Sequence, residues 1–364
     1  MRIAIDTREL AGQPTGVGRY LAEILREWNG LPEAAEHEFV LCAPGGVDLS
    51  PWPALRARVE AEDGTGTAWE QRALPRLARR AEADVLFCPA YSGPIGDRTP
   101  LVVAVHDVSF AAHPEWFRWR EGLRRRIVTR AAARRAARVL AASEFSRREI
   151  VEHLGVPASK VEVVYPGAAR SGVRDPRSGS RDPRSAIRDP LVLYVGSIFN
   201  RRHVPETIKA FTRLARRLPG ARLAIVGDNR TFPRIALEPL VHDAPGIALH
   251  AYVPDDVLAD LYRHARAFVF LSEYEGFGLT PLEALAAGVP IVVLDTPVAR
   301  EVYGDAAIRV EAPDPRLIAP AIERALADGP DRQRVLEAAP GVLSRYSWTA
   351  CARRVLQTLV ECGA

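Results

Sequence analysis

The sequence predicts an α/β protein built from two doubly wound, parallel-sheet (Rossmann-like) domains. Three observations lead there. The chain has 364 residues, more than one hydrophobic core usually organises. Short apolar runs alternate with helical patterns along both halves, the mark of parallel sheets covered on both faces. A stretch rich in Pro, Gly, Ser and Arg separates the halves at residues 170–190.

In the first half the expected strands are Arg2–Asp6, Glu38–Cys42, Val85–Cys88, Leu101–Val105 and Arg138–Ala142. In the second they are Leu191–Val195, Arg222–Val226, Ala248–Ala251, Ala267–Leu271 and Ile291–Leu294. Between the halves the chain repeats itself as Arg174-Asp-Pro-Arg-Ser178, Arg181-Asp-Pro-Arg-Ser185 and Arg188-Asp-Pro190. Such a composition cannot build a core and reads as a linker or surface loop. Val342–Cys362 reads as a helix after a break at Pro340-Gly341. Such a tail can cross back to the first domain. The expected division is therefore residues 1–169, a linker at 170–190, residues 191–341, and a C-terminal helix at 342–364.

Hydrophobic residues make up 48% and charged residues 26%, an ordinary globular balance. A net charge of +4 does not argue for nucleic acid at this length. No apolar stretch is long enough to span a bilayer. Met1-Arg-Ile-Ala-Ile-Asp6 meets a charge at once and lacks the apolar core of a signal peptide. A cytoplasmic protein is expected. Cys42, Cys88, Cys351 and Cys362 lack metal-ligand spacing and read as buried or idle thiols. No Asp-x-Asp follows a strand, so no metal and no cofactor is expected to be required.

In open parallel sheets ligands bind beyond the carboxyl ends of the strands, and in a two-domain protein in the cleft between two such edges. After Ala267–Leu271 comes Ser272-Glu-Tyr-Glu-Gly-Phe-Gly-Leu-Thr-Pro-Leu-Glu-Ala, a glycine-containing loop running into a helix. Thr280 fits the N-cap, Pro281 the first helical position and Gly288 the C-terminal cap. Amide N–H groups near Gly278–Thr280 suit a diphosphate, and Gly276 and Gly278 allow close backbone approach. Glu275 and Glu283 flank this anion site, where carboxylates can accept from sugar and ribose hydroxyls. Each has a plainer reading: Glu275 as a solvated loop residue, Glu283 as the closing member of a capping box from Thr280.

Here the chain resembles family 4 of the retaining glycosyltransferases, group 1 type. The signature is a Glu, seven residues and a second Glu, within Glu-Gly-Phe-Gly-Leu-x-x-x-Glu-Ala. It runs in full from Glu275 to Ala284, and Ala287-Gly-Val-Pro290 also matches. The resemblance implies the GT-B fold, an acceptor-side first domain and a nucleotide-sugar-binding second domain. It implies that Glu275 contacts the transferred sugar and Glu283 the ribose. The backbone of Gly276, Phe277, Gly278, Leu279 and Thr280 would hold sugar and phosphate.

The resemblance extends over nearly the whole chain. Thr15-Gly-Val-Gly-Arg-Tyr20 matches the family's first glycine loop, placing Gly16 against donor phosphate; a helix-start glycine is the plainer reading. His106-Asp107 follows a strand, and the resemblance puts His106 near the transferred sugar and acceptor. Ser146 and Glu149 would make a capping box and read as structural. In Gly196-Ser-Ile-Phe-Asn-Arg-Arg-His203, Ser197 stands where the family commonly has an Arg that holds diphosphate. Arg202 stands at the position of the family's Lys, and Arg201 suits a substitute role. Two surface arginines are the plainer reading. Val253 lies in the segment whose backbone meets the nucleobase.

The expected enzyme moves a hexose, mannose first, from a nucleotide-diphosphate sugar to a saccharide or lipid-linked acceptor in bacterial cell-surface glycan (polysaccharide) synthesis. GDP-mannose leads as donor, with UDP- and dTDP-sugars next. Retention follows from the resemblance, with Glu275, His106, Arg201 and Arg202 at the chemistry. A non-catalytic sugar-nucleotide-binding module, or another nucleotide-sugar enzyme, is the alternative. Between Arg118 and Arg138 nine arginines face one acid, Glu121, with Trp116, Phe117 and Trp119 around the start of the stretch. That pattern suits peripheral contact with anionic lipid at the inner membrane face, or else a solvated helix.

Overall fold

Central strands need apolar side chains on both faces, and the sequence read them well. The computed structural model describes residues 1–11, 16–168, 189–242 and 244–364. The linker expected at 170–190 falls almost wholly outside them. Six strands begin and end as read: β1 (Arg2–Asp6), β4 (Val85–Cys88), β5 (Leu101–Val105), β8 (Leu191–Val195), β9 (Arg222–Val226) and β12 (Ile291–Leu294). Four differ by one or two residues at one or both ends: β2 (Glu38–Ala43), β6 (Arg138–Ala141), β10 (Ile247–His250) and β11 (Ala265–Phe270). Three strands were not expected: β3 (Ala57–Ala61), β7 (Val161–Val163) and β13 (Ala307–Val310).

All three lie at sheet edges. The first sheet runs β3-β2-β1-β4-β5-β6-β7 and the second β10-β9-β8-β11-β12-β13. Every pairing is parallel. An edge strand is short and tolerates charge, so Arg58, Glu60 and Glu162 mask the apolar signal. Both orders reverse direction beside the first strand of their sheet, between β1 and β4 and between β8 and β11. In doubly wound sheets that reversal opens the crevice for a ligand.

The chain divides into two units. Unit 1 comprises Met1–Gly167 with Tyr346–Ala364, and unit 2 comprises Ala168–Arg345. In unit 1 the two-residue period of β1 sends Ile3 and Ile5 to one face and Ala4 to the other. Ile3 and Ile5 join a core with α1 (Gly16–Gly30), while Ala4 joins one with α2 (Gly66–Arg80) and α5 (Glu144–Leu154). Also in unit 1 are the short α3 (Ser109–Ala112) and the arginine-rich α4 (Trp119–Arg135). Unit 2 carries α6 (Val204–Ala215), α7 (Glu238–His242), α8 (Asp255–His264), α9 (Leu279–Ala286), α10 (Pro297–Tyr303), α11 (Pro315–Leu326) and α12 (Pro330–Leu343).

The C-terminal break does not fall at Pro340-Gly341. Helix α12 runs through both residues, with Pro340 exposed and one turn from its end. The break follows Leu343. Ser347 then caps α13 (Trp348–Gly363) by accepting from the Ala350 N–H at 3.3 Å. Helix α13 packs on α1, β4 and β5 within unit 1.

Candidate functional site

The loop after β8 and the loop after β11 meet at the reversal point of the second sheet. Beyond Val195 the chain turns at Gly196, whose φ is +144°. A short 3-10 turn over Asn200–Arg202 brings the Arg202 side chain back over Gly196. A Cβ on Gly196 would lie 2.9 Å from Arg202 Nη1, so the glycine leaves room for the guanidinium. Arg202 Nη1 donates to the Ser197 carbonyl at 2.8 Å, and the guanidinium rests on Phe199 and Phe270.

Arg202 Nε donates to Glu275 Oε1 at 2.7 Å, and Ser272 Oγ donates to the same oxygen at 2.8 Å. Both partners are nearly enclosed, with side chains 13% and 14% exposed. Burial is the largest single influence on Glu275 and opposes its ionisation. Arg202, Arg201 and the hydrogen bonds from Arg202 and Ser272 together outweigh it and hold the carboxyl below its usual range. Burial likewise works against the Arg202 charge, but Glu275 raises its pKa overall. Glu275 is therefore an ionised, oriented carboxylate and not a solvated loop residue. Arg201 is 8% exposed and stacks on Phe199. The two arginines are not surface residues.

The glycine loop departs from the expected capping. Helix α9 begins at Leu279 with Gly278 as its N-cap, in the left-handed region at φ 88° and ψ 72°. Thr280 and Pro281 therefore lie two steps further inside the helix than expected, and no side chain caps the start. A capping box from Thr280 to Glu283 does not form, because Glu283 is the fifth helical residue and not the third. Glu283 is buried, and its Oε2 accepts from Tyr262 Oη of α8 at 2.9 Å. Gly288 does end the helix as expected: its φ is +70°, and Gly288 and Val289 donate to the carbonyls of Leu285 and Ala284. Tyr303 of α10 donates to the Gly278 carbonyl at 3.0 Å from beneath the loop. Val253 is buried in the turn between β10 and α8, while its neighbour Tyr252 is exposed.

His106 and Gly16 belong to unit 1. His106 follows β5, and its Nε2 pairs with the Pro89 carbonyl at 2.8 Å, so Nε2 carries the proton and Nδ1 is left as an acceptor. Burial lowers its pKa against the opposing pull of Pro89, Asp107 and Glu9. Tyr20 and Tyr91 stand edge-on to the ring. Gly16 opens α1; a Cβ there would meet nothing, so packing within the described residues does not demand glycine. The cap of α5 is Ser143, not Ser146: Ser143 Oγ accepts from the Ser146 N–H at 2.9 Å, and Ser146 Oγ donates to the His106 carbonyl. One trio among the described residues, Glu149, Glu152 and His153, brings potential ligand atoms within 4.8 Å of one another. Spacing along one helix face produces that by itself.

Sequence reading missed several residues. At the carboxyl end of β1, Arg8 bridges Asp6 at 2.6 Å and Glu70 at 2.8 Å, and Ser92 donates to Glu70. Ser272, Tyr262 and Tyr303 were also given no role. For Ser272 a signal existed, since it directly follows a strand. The tyrosines come from other elements and carry no local signature.

Residues 14–170 match the model of Glycosyltransferase Family 4, and residues 180–342 match that of Glycosyl transferases group 1. The chain belongs to the family 4, group 1 glycosyltransferases. The resemblance drawn from Glu275–Ala284 is thus borne out. This glycosyltransferase is 27% identical to an Escherichia coli protein named O-antigen chain mannosyltransferase B, over 98% of each chain. It is 31% identical to the D-inositol 3-phosphate glycosyltransferase of Frankia alni, over 61% of this chain and 58% of that one. Among solved structures, the Anabaena protein HepE in complex with UDP-glucose shares the fold with a TM-score of 0.75 at 17% identity. The match covers 99% of this chain and 100% of that one. The fold is GT-B, two Rossmann-like domains.

Proposed function

We propose that the enzyme is a retaining hexosyltransferase that takes mannose from GDP-mannose and passes it to a saccharide or lipid-linked acceptor in cell-surface glycan synthesis. One observation carries the reading: an ionised Glu275, fixed by Arg202, lies just before a loop whose helix start has no side-chain cap. An oriented carboxylate suits sugar hydroxyls, and open amides at a helix start suit a diphosphate. The mannosyltransferase name of the Escherichia coli relative favours mannose and a surface glycan. HepE holds UDP-glucose, so a UDP-sugar is the next donor.

In this reading the bond between the sugar's anomeric carbon and the phosphate oxygen breaks. The acceptor hydroxyl forms the new bond on the same face and gives its proton to the departing phosphate. Arg201 and the loop amides meet the leaving charge, while Arg202 holds Glu275. Glu283 takes the ribose, Val253 the base, and His106 Nδ1 accepts a hydrogen bond from a hydroxyl near the transferred sugar. Incubation with GDP-mannose, UDP-glucose and dTDP-glucose tests this. Hydrolysis or transfer from one of them, with a retained anomer by NMR, is expected. An inverted product overturns retention; binding without turnover of any donor favours a non-catalytic module.

The enzyme's place is at the inner membrane face. On α4, Trp119, Leu123 and Ile127 are exposed at four-residue intervals, 71%, 42% and 57% accessible, among its arginines. An apolar stripe flanked by cations suits an anionic bilayer surface. Among the described residues no helix is long and apolar enough to cross a membrane. Co-sedimentation with phosphatidylglycerol vesicles but not phosphatidylcholine vesicles is expected, and its absence at low salt refutes the contact.

A further inference from the structure

We infer that two buried tyrosines, Tyr303 and Tyr262, are the positioning residues that turn the Glu275–Glu283 segment into a two-part nucleotide receptor. Tyr303 sets the phosphate part and Tyr262 the ribose part. The inference rests on the donor reading above and deepens it.

Consider the loop first. Tyr303 is 4% exposed, and its hydroxyl lies 3.0 Å from the Gly278 carbonyl and 3.4 Å from the Phe277 carbonyl. A trans peptide is planar, with its C=O and N–H pointing opposite ways. Drawing the carbonyls of 277 and 278 inward therefore aims the N–H groups of Gly278 and Leu279 outward. The next amide, of Thr280, continues the row into the first turn of α9. Among the described residues nothing accepts from these three N–H groups. A left-handed residue followed by helical ones, with successive amides converging, is an anion-binding concavity. Gly278 supplies the left-handed residue, and a Cβ on it would lie 2.0 Å from Tyr303 Oη. The glycine and the tyrosine thus fit one another.

The other end works through a side chain. Tyr262 is 1% exposed and stacks on Phe268. Its hydroxyl donates to Glu283 Oε2 at 2.9 Å in a buried setting. One oxygen of Glu283 is thereby anchored. An anchored carboxylate is preorganised to accept from a vicinal diol, and loses less freedom on binding than a mobile one. Neither tyrosine needs to touch the ligand; each acts through a neighbouring group.

Isothermal titration of GDP and 2′,3′-dideoxy-GDP against wild type, Tyr303→Phe and Tyr262→Phe tests the pair. The ligand-free melting point of each protein serves as the fold control. Wild type is expected to prefer GDP to its dideoxy form. Tyr303→Phe should weaken both ligands by roughly tenfold, since misaimed amides act on phosphate alone. Tyr262→Phe should weaken GDP only, closing the gap to the dideoxy form, an effect that general loosening does not produce. Affinities equal to wild type in the two variants overturn the positioning roles. A wild type that binds neither GDP nor UDP overturns the donor reading instead, and one indifferent to the ribose hydroxyls overturns the Tyr262 half. Should a variant fail to melt cooperatively, hydrogen exchange on wild type decides. GDP should protect the amides of Gly278–Thr280, and unchanged exchange overturns the Tyr303 role.

Discussion

Arg202 and Glu275 stabilise each other only as a pair. Removing one partner of a buried ion pair leaves the other uncompensated, at a cost of about 3–5 kcal/mol. Arg202→Gln should therefore lower stability at neutral pH by about 3 kcal/mol. It should also reverse a slope. In the wild type the folded Glu275 pKa lies below the ordinary 4.5, so its contribution is present above that value and is lost as pH falls through the folded pKa. Without Arg202, burial, the largest influence on this carboxyl, is opposed only by Arg201 and Ser272 and is expected to raise the folded pKa. The contribution is then present at low pH and lost as pH rises past 4.5. Urea unfolding of Arg202→Gln and Arg202→Gln/Glu275→Gln from pH 4 to 8 isolates this one carboxyl by difference; parallel curves would refute it. The sequence singled out Glu275, Arg201 and Arg202 because each sits in a contiguous motif. It did not show that Arg202 belongs to Glu275, since the two are 73 positions apart and only the folded sheet joins their loops.

Central strands were legible, and three of the four edge strands were not. Strands such as β5, buried throughout, declare themselves by composition, whereas β3, β7 and β13 at sheet edges do not. The start of α9 was misplaced for a related reason: Thr280 has cap chemistry, but the left-handed Gly278 over Tyr303 begins the helix earlier. This local fit makes a sharp prediction. Gly278→Ala should cost stability twice, through about 1–2 kcal/mol of left-handed strain and through the clash of its Cβ with Tyr303 Oη. Adding Tyr303→Phe removes the oxygen, leaving the next contact at 3.3 Å from the ring carbon. The double variant should then be more stable than Gly278→Ala alone, a coupling of roughly 1 kcal/mol or more by denaturation. Additive losses would mean that the loop moves away from Tyr303 and that the glycine serves another purpose.

At the scale of the molecule, the two-sheet plan was readable because alternating apolar runs and helices leave few other architectures. The chain's return was not fixed by composition, since α13 is an ordinary amphipathic helix until its partner is known. That partner is α1. Trp28 Nε1 donates to the Ala352 carbonyl at 2.8 Å, and Trp28 stacks on Phe39. Val355, Leu356 and Leu359 are buried in the same core as Ile3, Ile5 and Leu21. Unit 1 therefore closes its core with a segment that follows unit 2 in the sequence. Leu359→Ala, at a fully buried position, should cost about 2–5 kcal/mol, because the packed core collapses only partly around the lost atoms. Denaturant unfolding followed by tryptophan emission would register it. GDP should still raise the melting temperature, because its proposed contacts lie in unit 2 and stabilisation follows binding by mass action. A loss below about 0.5 kcal/mol, the range of ordinary surface changes, would show that α13 only covers unit 1 and does not complete it.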